Sequence, residues 1–578
     1  MLNSEIAKMF EEIADMLELE DGDYRFEVRA YRKAALSLNT MQEDVGYIYK
    51  KGGAEALMEI SGIGKGLAGK IIEYINTGKM AKHEQLKKKY PIDFENLTRI
   101  SGIGAKKAFK LYKYLKVKDV RDLKEVLAKH KIRDLEGFGE KSEEEISKGT
   151  ALLESSKGRM PIGNALPEAE SIIKELEASG LIKRSSIAGS ARRMRDTVGD
   201  LDILVTSDQP GKVMKLIPKL SQIKSVALMG PTKTTVRLKA GISCDVRVVR
   251  DESFGAALQY FTGNKDHNIK VRQVAIKKGY KLNEYGLFDK KGRNLAGSEE
   301  KSVYDKLGME IMDPEMRENR GEVELSIKHK IPRLVQLSDI KGDLHVHTNH
   351  SDGSNTILEM AEYARKLGLE YIGITDHTKS EYVAHGMDDA KFAKHLAEID
   401  KLNSSIEGVT ILKSAEIDIL KDGSLDLSRK TMEALDYRLA SVHTNLNMSM
   451  HDMTNRIIKA MESGYVDILA HPTDRIINAR NPIQLDLDKM FDAADKNGVA
   501  LEIDGYPDRL DLNDENIFKA RNYNVQFAID TDSHRDTHLE LMRYGVSMAK
   551  RGWLQKKSII NSLGIKDLIK RFKINKTQ

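Results

Sequence analysis

Asp200 and Asp202 stand one residue apart in the stretch Ala188-Gly-Ser-Ala-Arg-Arg-Met-Arg-Asp-Thr-Val-Gly-Asp-Leu-Asp-Ile-Leu-Val205. In a strand, residues i and i+2 share a face, so the two carboxylates point the same way while Leu201, Ile203, Leu204 and Val205 anchor the strand in a core. An isolated Asp-x-Asp is usually a solvated turn. Here a third acid, Asp245, lies in a second strand-like run, Ser243-Cys-Asp-Val-Arg-Val-Val249, spaced as a neighbouring strand of the same sheet would be. Three carboxylates on adjacent strands can bind two Mg²⁺ ions, one activating a 3′-hydroxyl and one carrying a triphosphate. Gly189 and Ser190 add a close-approaching backbone and a hydroxyl, and Arg192, Arg193 and Arg195 add guanidinium forks for phosphate. Together these groups describe nucleotidyl transfer.

A second concentration of chemistry lies toward the C-terminus, where 11 of the 15 histidines fall at or beyond His345. Short apolar runs recur there, each ending in a candidate ligand: Asp343-Leu-His-Val-His347, Tyr371-Ile-Gly-Ile-Thr-Asp-His377, Ile411-Leu-Lys-Ser-Ala-Glu416, Leu439-Ala-Ser-Val-His443, Val466-Asp-Ile-Leu-Ala-His471, Val499-Ala-Leu-Glu502 and Val525-Gln-Phe-Ala-Ile-Asp-Thr-Asp-Ser-His534. Helix-like stretches separate them. Strands alternating with helices, with functional residues at the strands' carboxyl ends, describe a TIM-like barrel, and seven runs predict a (β/α)₇ variant. A single histidine at a strand end is more often a hydrogen-bonded structural residue. Six or more converging on one mouth, with carboxylates, would be expensive to bury without metal.

Near the N-terminus the short sequences Ile60-Ser-Gly-Ile-Gly-Lys65 and Ile100-Ser-Gly-Ile-Gly-Ala105 repeat, each followed by a helix-like pattern, and a degenerate third copy follows at Leu135-Glu-Gly-Phe-Gly139. These are helix-hairpin-helix signatures: Gly62 and Gly64, and Gly102 and Gly104, allow a tight turn whose N–H groups point at a DNA phosphate ahead of a helix N-terminus. From Lys65 to Lys118 the chain carries fourteen Lys or Arg against four Asp or Glu, a plausible phosphate-facing surface.

From roughly Glu5 to Glu324 the chain resembles the family X DNA polymerases, the group of polymerase beta, on the strength of Asp200, Asp202, Asp245 and the segment Tyr260-Phe-Thr-Gly-Asn264. The resemblance implies that the three aspartates hold the catalytic metals and that Arg159, Gly189, Ser190 and Arg193 serve the incoming triphosphate. It further implies that Tyr260 and Phe261 abut the sugar and discriminate against a 2′-hydroxyl, that Gly263 belongs to the nucleotide-binding set, and that Asn268 and Arg272 reach the minor-groove side of the nascent pair. Core packing is the plainer reading of the aromatic pair. A monovalent cation, Na⁺ or K⁺, is implied at each hairpin, on the carbonyls of Met58, Ile60 and Ile63, and of Thr98, Ile100 and Ile103.

The first hairpin resembles the family's small lyase domain, with Lys70 in the place of the Schiff-base lysine and Lys82 at a basic position of the 5′-phosphate pocket. Glu27 and Gly66 stand where that pocket usually has lysines, and a phosphate-facing or surface lysine is the alternative reading of Lys70. The C-terminal order His345, His347, Asp352, His377, Glu416, His443, His471, Asp532, His534 resembles the PHP (polymerase and histidinol phosphatase) domain. That family implies a trinuclear Mn²⁺ or Zn²⁺ site, Glu416 bridging two metals, and phosphoester hydrolysis. Fusion of the two modules is typical of the microbial PolX type.

At 578 residues with a formal charge of +5, the chain is long enough for three to five domains. We expect a lyase-like helical domain over 1–82, a second hairpin domain of fingers type over 83–157, a nucleotidyltransferase palm with a mixed sheet over 158–255, and a thumb over 256–318. A charged, proline-interrupted tether over 319–338 and the barrel over 339–578 complete the chain. The one cysteine, Cys244, excludes a disulfide framework and a thiolate zinc site within the chain. With no leader-like N-terminus and no run of membrane-spanning length, the expectation is a cytoplasmic, nucleoid-associated monomer.

The function expected is DNA repair: filling gapped or nicked duplex DNA with dNTPs, and hydrolysing phosphodiesters as a 3′–5′ exonuclease, in 3′-end processing or as an abasic-site endonuclease. Rival readings are a metallophosphatase or nuclease whose polymerase half only grips DNA, and a template-independent nucleotidyltransferase. The intact acid triad opposes the first; the paired hairpins and Tyr260-Phe261 oppose the second.

Overall fold

A computed structural model describes residues 2–20, 23–40, 44–60, 62–98, 100, 102–155 and 158–575. The chain divides into two compact units, Met1–Lys157 with Asn478–Asn481, and Gly158–Ile477 with Pro482–Gln578. The first is helical. Its longer helices bury periodic apolar stripes, as in Ala105–Leu115, where Ala105, Ala108 and Leu111 face the core and the lysines between them face outward.

The second unit begins with the helix Ile162–Ala178, whose stripe Ile162, Ala165, Leu166, Ala169, Ile172 and Leu176 packs on a five-stranded mixed sheet. Its strands are β1 (Arg184–Ala188), β2 (Asp200–Thr206), β3 (Ile223–Met229), β4 (Lys233–Leu238) and β5 (Ser243–Val249), in the spatial order β1-β2-β5-β4-β3. β2 and β5 run parallel with Asp202 opposite Asp245, while β1 pairs antiparallel to β2 with Ala188 opposite Asp202. Along β5 burial alternates strictly, so Cys244, Val246 and Val248 enter the core and Asp245 and Arg247 share the other face.

Two helices, Phe254–Thr262 and Lys265–Lys277, and a small antiparallel sheet of Lys281–Asn283, Gly286–Phe288 and Asn294–Ala296 follow. The segment expected to be a tether is instead packed. Glu322, Val323, Ser326, Leu334 and Val335 are buried, residues Glu322–Ile327 form a helix, and the Glu322 carboxylate lies 2.8 Å from His267. Charge density misled the reading because Arg320 and Glu322 are paired internally with Asp514 and His267, while Lys328, Lys330 and Arg333 are exposed.

The barrel strands are β6 (Gly342–Val346), β7 (Tyr371–Ile374), β8 (Thr410–Lys413), β9 (Glu416–Asp418), β10 (Leu439–Ser441), β11 (Ile468–Leu469), β12 (Ala500–Asp504) and β13 (Phe527–Asp530). β8 and β9 are halves of one barrel strand interrupted at Ser414 and Ala415, giving seven staves, all parallel. A parallel bridge from Val346 to Ser533 joins the last stave to the first, and one from His377 to Glu416 spans the break. Among the described residues, no helix is long and apolar enough to cross a membrane.

Candidate active sites

The palm acids sit at the N-terminal ends of β2 and β5, where the sheet's core face gives way to a polar one. Asp200 is exposed, and Asp202 and Asp245 are half-buried. Asp245 accepts hydrogen bonds from Thr235 Oγ1 at 2.5 Å and Arg247 Nη2 at 3.1 Å, and pairs with Lys233 Nζ at 2.7 Å. Burial works against its ionisation, but Lys233, Thr235 and Arg247 outweigh it and hold this carboxyl below its ordinary range. Asp202 has no such partners. Burial, then the neighbouring charges of Asp200 and Asp245, push it up to about 6. Crowded carboxylates of this kind repel one another until a cation enters, so the donor set fits a divalent metal. Gly189 is the close neighbour: its φ is 64°, and a Cβ there would lie 2.5 Å from Asp202 Oδ2.

Of the nucleotide-binding candidates, Arg159 donates to the hydroxyl and carbonyl of Thr197 at the edge of this site. Ser190 lies in the single helical turn Gly189–Arg192 that follows β1. Arg193 is placed differently from expectation. It is buried, with Nε 3.0 Å from Glu318 Oε1 and Nη1 donating to the Thr262 carbonyl at 2.6 Å, so in this conformation its guanidinium is already committed. Glu318 also takes Arg551 at 3.0 Å, and Arg551 donates to the Arg193 carbonyl.

Tyr260 and Phe261 stack edge to face with centroids 5.1 Å apart, at the end of a helix terminated by Gly263, and Arg247 lies over the Phe261 ring. Both rings are half-buried. Asn268 donates to the Tyr260 carbonyl at 2.6 Å and accepts from Gln259, so it braces the aromatic pair; Arg272 is exposed.

The nine barrel candidates converge. His345 lies in β6 and His347 just beyond it, Asp352 in the following loop, His377 after β7, Glu416 at the start of β9, His443 after β10, His471 after β11, and Asp532 and His534 after β13. Glu416 is central. Its Oε2 lies 3.1 Å from His377 Nδ1 and 3.4 Å from Nε2 of both His345 and His347, and its Oε1 lies 2.9 Å from His471 and 3.2 Å from His443. Asp532 Oδ1 lies 3.2 Å from His347 Nε2, and Asp352 Oδ2 lies 3.3 Å from His534 and 3.7 Å from His377.

The electrostatics are divided. Burial pushes His377 down to about 3, whereas Asp532 and Asp352 overcome burial and hold His534 at about 9. Buried Glu416 is nonetheless held well below the ordinary range by His443, His377 and His345. The buried ring nitrogens His347 Nδ1, His377 Nδ1 and His471 Nδ1 have no hydrogen-bonding partner. Orphaned imidazole nitrogens aimed among carboxylates fit metal ions as their missing partners. His471 and Asp532 hold left-handed backbone, φ 23° and 49°, a strain of a few kcal/mol at most that functional sites retain.

Two carboxylates outside the nine, Glu502 and Asp418, orient them. Glu502 Oε1 lies 2.7 Å from His345 Nδ1 and its Oε2 accepts the His471 N–H at 2.5 Å; Asp418 Oδ1 lies 3.1 Å from His443 Nδ1. Such partners fix which nitrogen faces a metal. Glu502 ends the apolar run Val499-Ala-Leu-Glu502 and lies in the middle of β12, which was the available signal; Asp418, two residues after Glu416, shares its face.

In the helical unit the hairpins are superimposable in their bonding. Ile63 donates to the Ile60 carbonyl and Ile103 to the Ile100 carbonyl, both at 3.0 Å, and Phe138 donates to that of Leu135 at 2.9 Å. Gly62, Gly102 and Gly137 have φ of 79°, 85° and 84°. Gly64 and Gly104 cap the helices Lys65–Thr77 and Ala105–Leu115. The Ile60 and Ile100 carbonyls keep a second lone pair for a cation. Met58, Ile63, Thr98 and Ile103 flank the same turns. Lys65 is exposed and Lys82 half-buried. Lys70 lies over the Tyr31 ring at 5.8 Å and lines a cavity of about 820 Å³ with Phe26, Glu27, Gly64 and Lys65.

Family models match in the same order along the chain: a helix-hairpin-helix domain over residues 1–80, a SAM-like helix-hairpin-helix tandem over 94–149, the DNA polymerase beta thumb over 257–318 and the PHP domain over 343–505. The chain is 39% identical to the DNA polymerase/3′-5′ exonuclease PolX of Bacillus subtilis (strain 168) over 571 residues, covering 98% of this chain and 99% of that one. The chain is 31% identical over 232 residues to a probable phosphatase of Thermoanaerobacter sp. (strain X514), across 38% of this chain and 89% of that protein. It is 32% identical to a probable phosphatase of Proteus mirabilis (strain HI4320), across 28% and 62%.

Proposed function

The chain belongs to the PolX family, which joins a family X DNA polymerase to a PHP domain, and from that premise we propose how its two metal-binding sites divide the work on one DNA substrate. The enzyme is a DNA polymerase with a PHP hydrolase that removes nucleotides from 3′ ends. Its substrates are gapped or nicked duplex DNA and dNTPs, and the hairpin amides and their lysines grip the duplex through its phosphates.

Asp200, Asp202 and Asp245 would hold two Mg²⁺ ions, which when bound supply charge neutralisation at the phosphates and ionisation of the primer 3′-hydroxyl. The chain's own residues arrange the rest. Lys233 and Arg247 keep Asp245 ionised, Gly189 leaves room beside Asp202, and the Tyr260-Phe261 pair, braced by Asn268, presents a rigid edge against which a ribose 2′-hydroxyl would collide. Arg159 and Ser190 stand beside the acids to receive the triphosphate. Arg193 joins them when Glu318 releases it.

At the barrel mouth the nine residues from His345 to His534 would hold up to three Mn²⁺ or Zn²⁺ ions, which when bound supply an activated water and stabilisation of the developing phosphorane charge. Glu502 and Asp418 hold His345 and His443 in the ligating tautomer. Arg509, whose Nε is 3.7 Å from Asp532 and whose Nη1 is 2.8 Å from Asp474, adds a guanidinium at the same mouth for the phosphodiester.

The observation that carries this reading is the coexistence, in one chain, of a complete acid triad in register across β2 and β5 and a complete nine-ligand barrel mouth. Incubation on a one-nucleotide-gapped duplex with Mg²⁺ or Mn²⁺, with and without dNTPs, displays both reactions on one gel. One-nucleotide extension with dNTPs and 3′ shortening without them is expected; failure of either product contradicts the corresponding half.

A further inference from the structure

The nine-residue cluster does not absorb every metal-ligating side chain of the barrel. His350, Asp376 and His395 bring donor atoms within 4.8 Å of one another from three elements: the loop after β6, the residue preceding His377, and the helix Asp389–Asn403. None belongs to the cluster.

His395 is the telling member. It is 1% exposed, and neither of its ring nitrogens has a hydrogen-bonding partner. A neutral imidazole carries one N–H and one lone pair, and leaving such groups unpaired in an interior is costly. Native structures rarely accept that without an unseen partner. The same signature, an orphaned buried ring nitrogen facing a carboxylate oxygen, marks His347 and His377 inside the cluster.

The carboxylate facing His395 is Asp376, whose Oδ2 lies 3.3 Å from Nε2. Asp376 Oδ1 accepts from the Thr348 N–H at 2.8 Å and the Ser351 hydroxyl at 2.5 Å, while Oδ2 accepts only the Thr348 hydroxyl at 2.6 Å. One lone pair of Oδ2 therefore remains on the side of His395. The His350 ring lies 4.5 Å from that of His395, and Glu398 Oε2 is 3.1 Å from His350 Nε2. His350 and Glu398 are 30% and 47% exposed, so the site opens to solvent on their side and an ion has a way in. Two imidazoles with one or two carboxylates are a tetrahedral Zn²⁺ donor set.

We propose that His350, His395 and Asp376, with Glu398 as the fourth donor, form an additional zinc-class site separate from the nine-ligand cluster. Its role is positional. His350 lies two residues before Asp352, so an ion here ties the loop carrying that cluster ligand to the helix Asp389–Asn403. The proposal does not rest on the chemistry assigned to the cluster.

The test is zinc stoichiometry by elemental analysis on the full-length protein, loaded with Zn²⁺ and dialysed to constant content. His350→Ala and His395→Gln should each hold about one Zn²⁺ equivalent fewer than the parent. Loss of cluster metal through a loosened Asp352 is separated by repeating His350→Ala in a His345→Ala/Glu416→Ala background, where one equivalent should remain and then vanish. His350 is partly exposed, so its variant decides the matter should the buried His395→Gln fold poorly. Equal zinc in the background protein with and without His350→Ala overturns the proposal and leaves a bridging water as the partner of His395.

Discussion

The palm site and the barrel mouth solve the same electrostatic problem in opposite ways. In the palm, three carboxylates at one sheet edge are answered by Lys233 and Arg247 on a partly open face, and Asp202 is left at about 6 because burial and the charges of Asp200 and Asp245 outweigh those two more distant cations. In the barrel, six imidazoles surround three carboxylates, and six of the nine side chains are buried. Oxygen-only donors in an open site suit Mg²⁺, which keeps its waters and arrives with a triphosphate. Imidazole-rich donors in a closed site suit Mn²⁺ or Zn²⁺ held by the protein itself. On the proposed reading, one site would be assembled with each substrate and the other would hold its metal before substrate arrives.

The strongest way to break this contrast is to remove one centre and watch the other. Asp245→Ala should lower primer extension by about three decades or more, the scale expected when a group stabilising a phosphoryl-transfer transition state is deleted, while 3′ shortening persists; gap filling near the parent rate would refute the assignment. Glu416→Ala should lose barrel metal and 3′ shortening together, with extension retained. Elemental analysis and the gapped-duplex gel on the same preparation check both halves of that statement.

A finer cut falls on the orienting residues. Glu502→Gln keeps the size of the side chain but weakens its hold on His345, and should reduce metal affinity by about 10–100-fold, read as the Mn²⁺ concentration for half-maximal 3′ shortening. An unchanged Mn²⁺ requirement would remove Glu502 from the account. The smallest effect concerns stability rather than chemistry. Burial opposes ionisation of Glu300, but Arg317 and Arg192 outweigh it and hold Glu300 at about 2, below its ordinary 4.5. A depressed acid contributes stability that is full above its unfolded value and is lost as pH falls toward about 2. Glu300→Gln should therefore cost about 3–5 kcal/mol at neutral pH and flatten the acid limb of a denaturation series between pH 4.5 and 2.

Much of this was legible in the sequence, for reasons that differ by region. The alternation in Ser243–Val249 fixed which face Asp245 takes, and the seven apolar runs ending in His or Glu announced the barrel because each candidate ligand lies in its strand or within a few residues of it. The hairpin turns announced themselves through Gly-x-Gly, including the third at Leu135. Less legible were pairings over long separations. Nothing local joins Arg193 to Glu318 and Arg551, and so the committed guanidinium was invisible. Arg320 and Glu322 read as solvated because their partners, Asp514 and His267, lie far along the chain. His395 sits mid-helix with no motif around it, and only burial without partners brings it to notice.

The central claim is that two chemically distinct metal centres serve two reactions, and a chelator distinguishes them without any mutation. The protein, loaded with Mn²⁺ or Zn²⁺ and dialysed, is given the gapped duplex, dNTPs and excess Mg²⁺, then titrated with a chelator selective for transition metals over Mg²⁺. The account predicts that 3′ shortening disappears while one-nucleotide extension continues at its starting rate. Loss of both activities at the same chelator concentration, or survival of both in its excess, would contradict it.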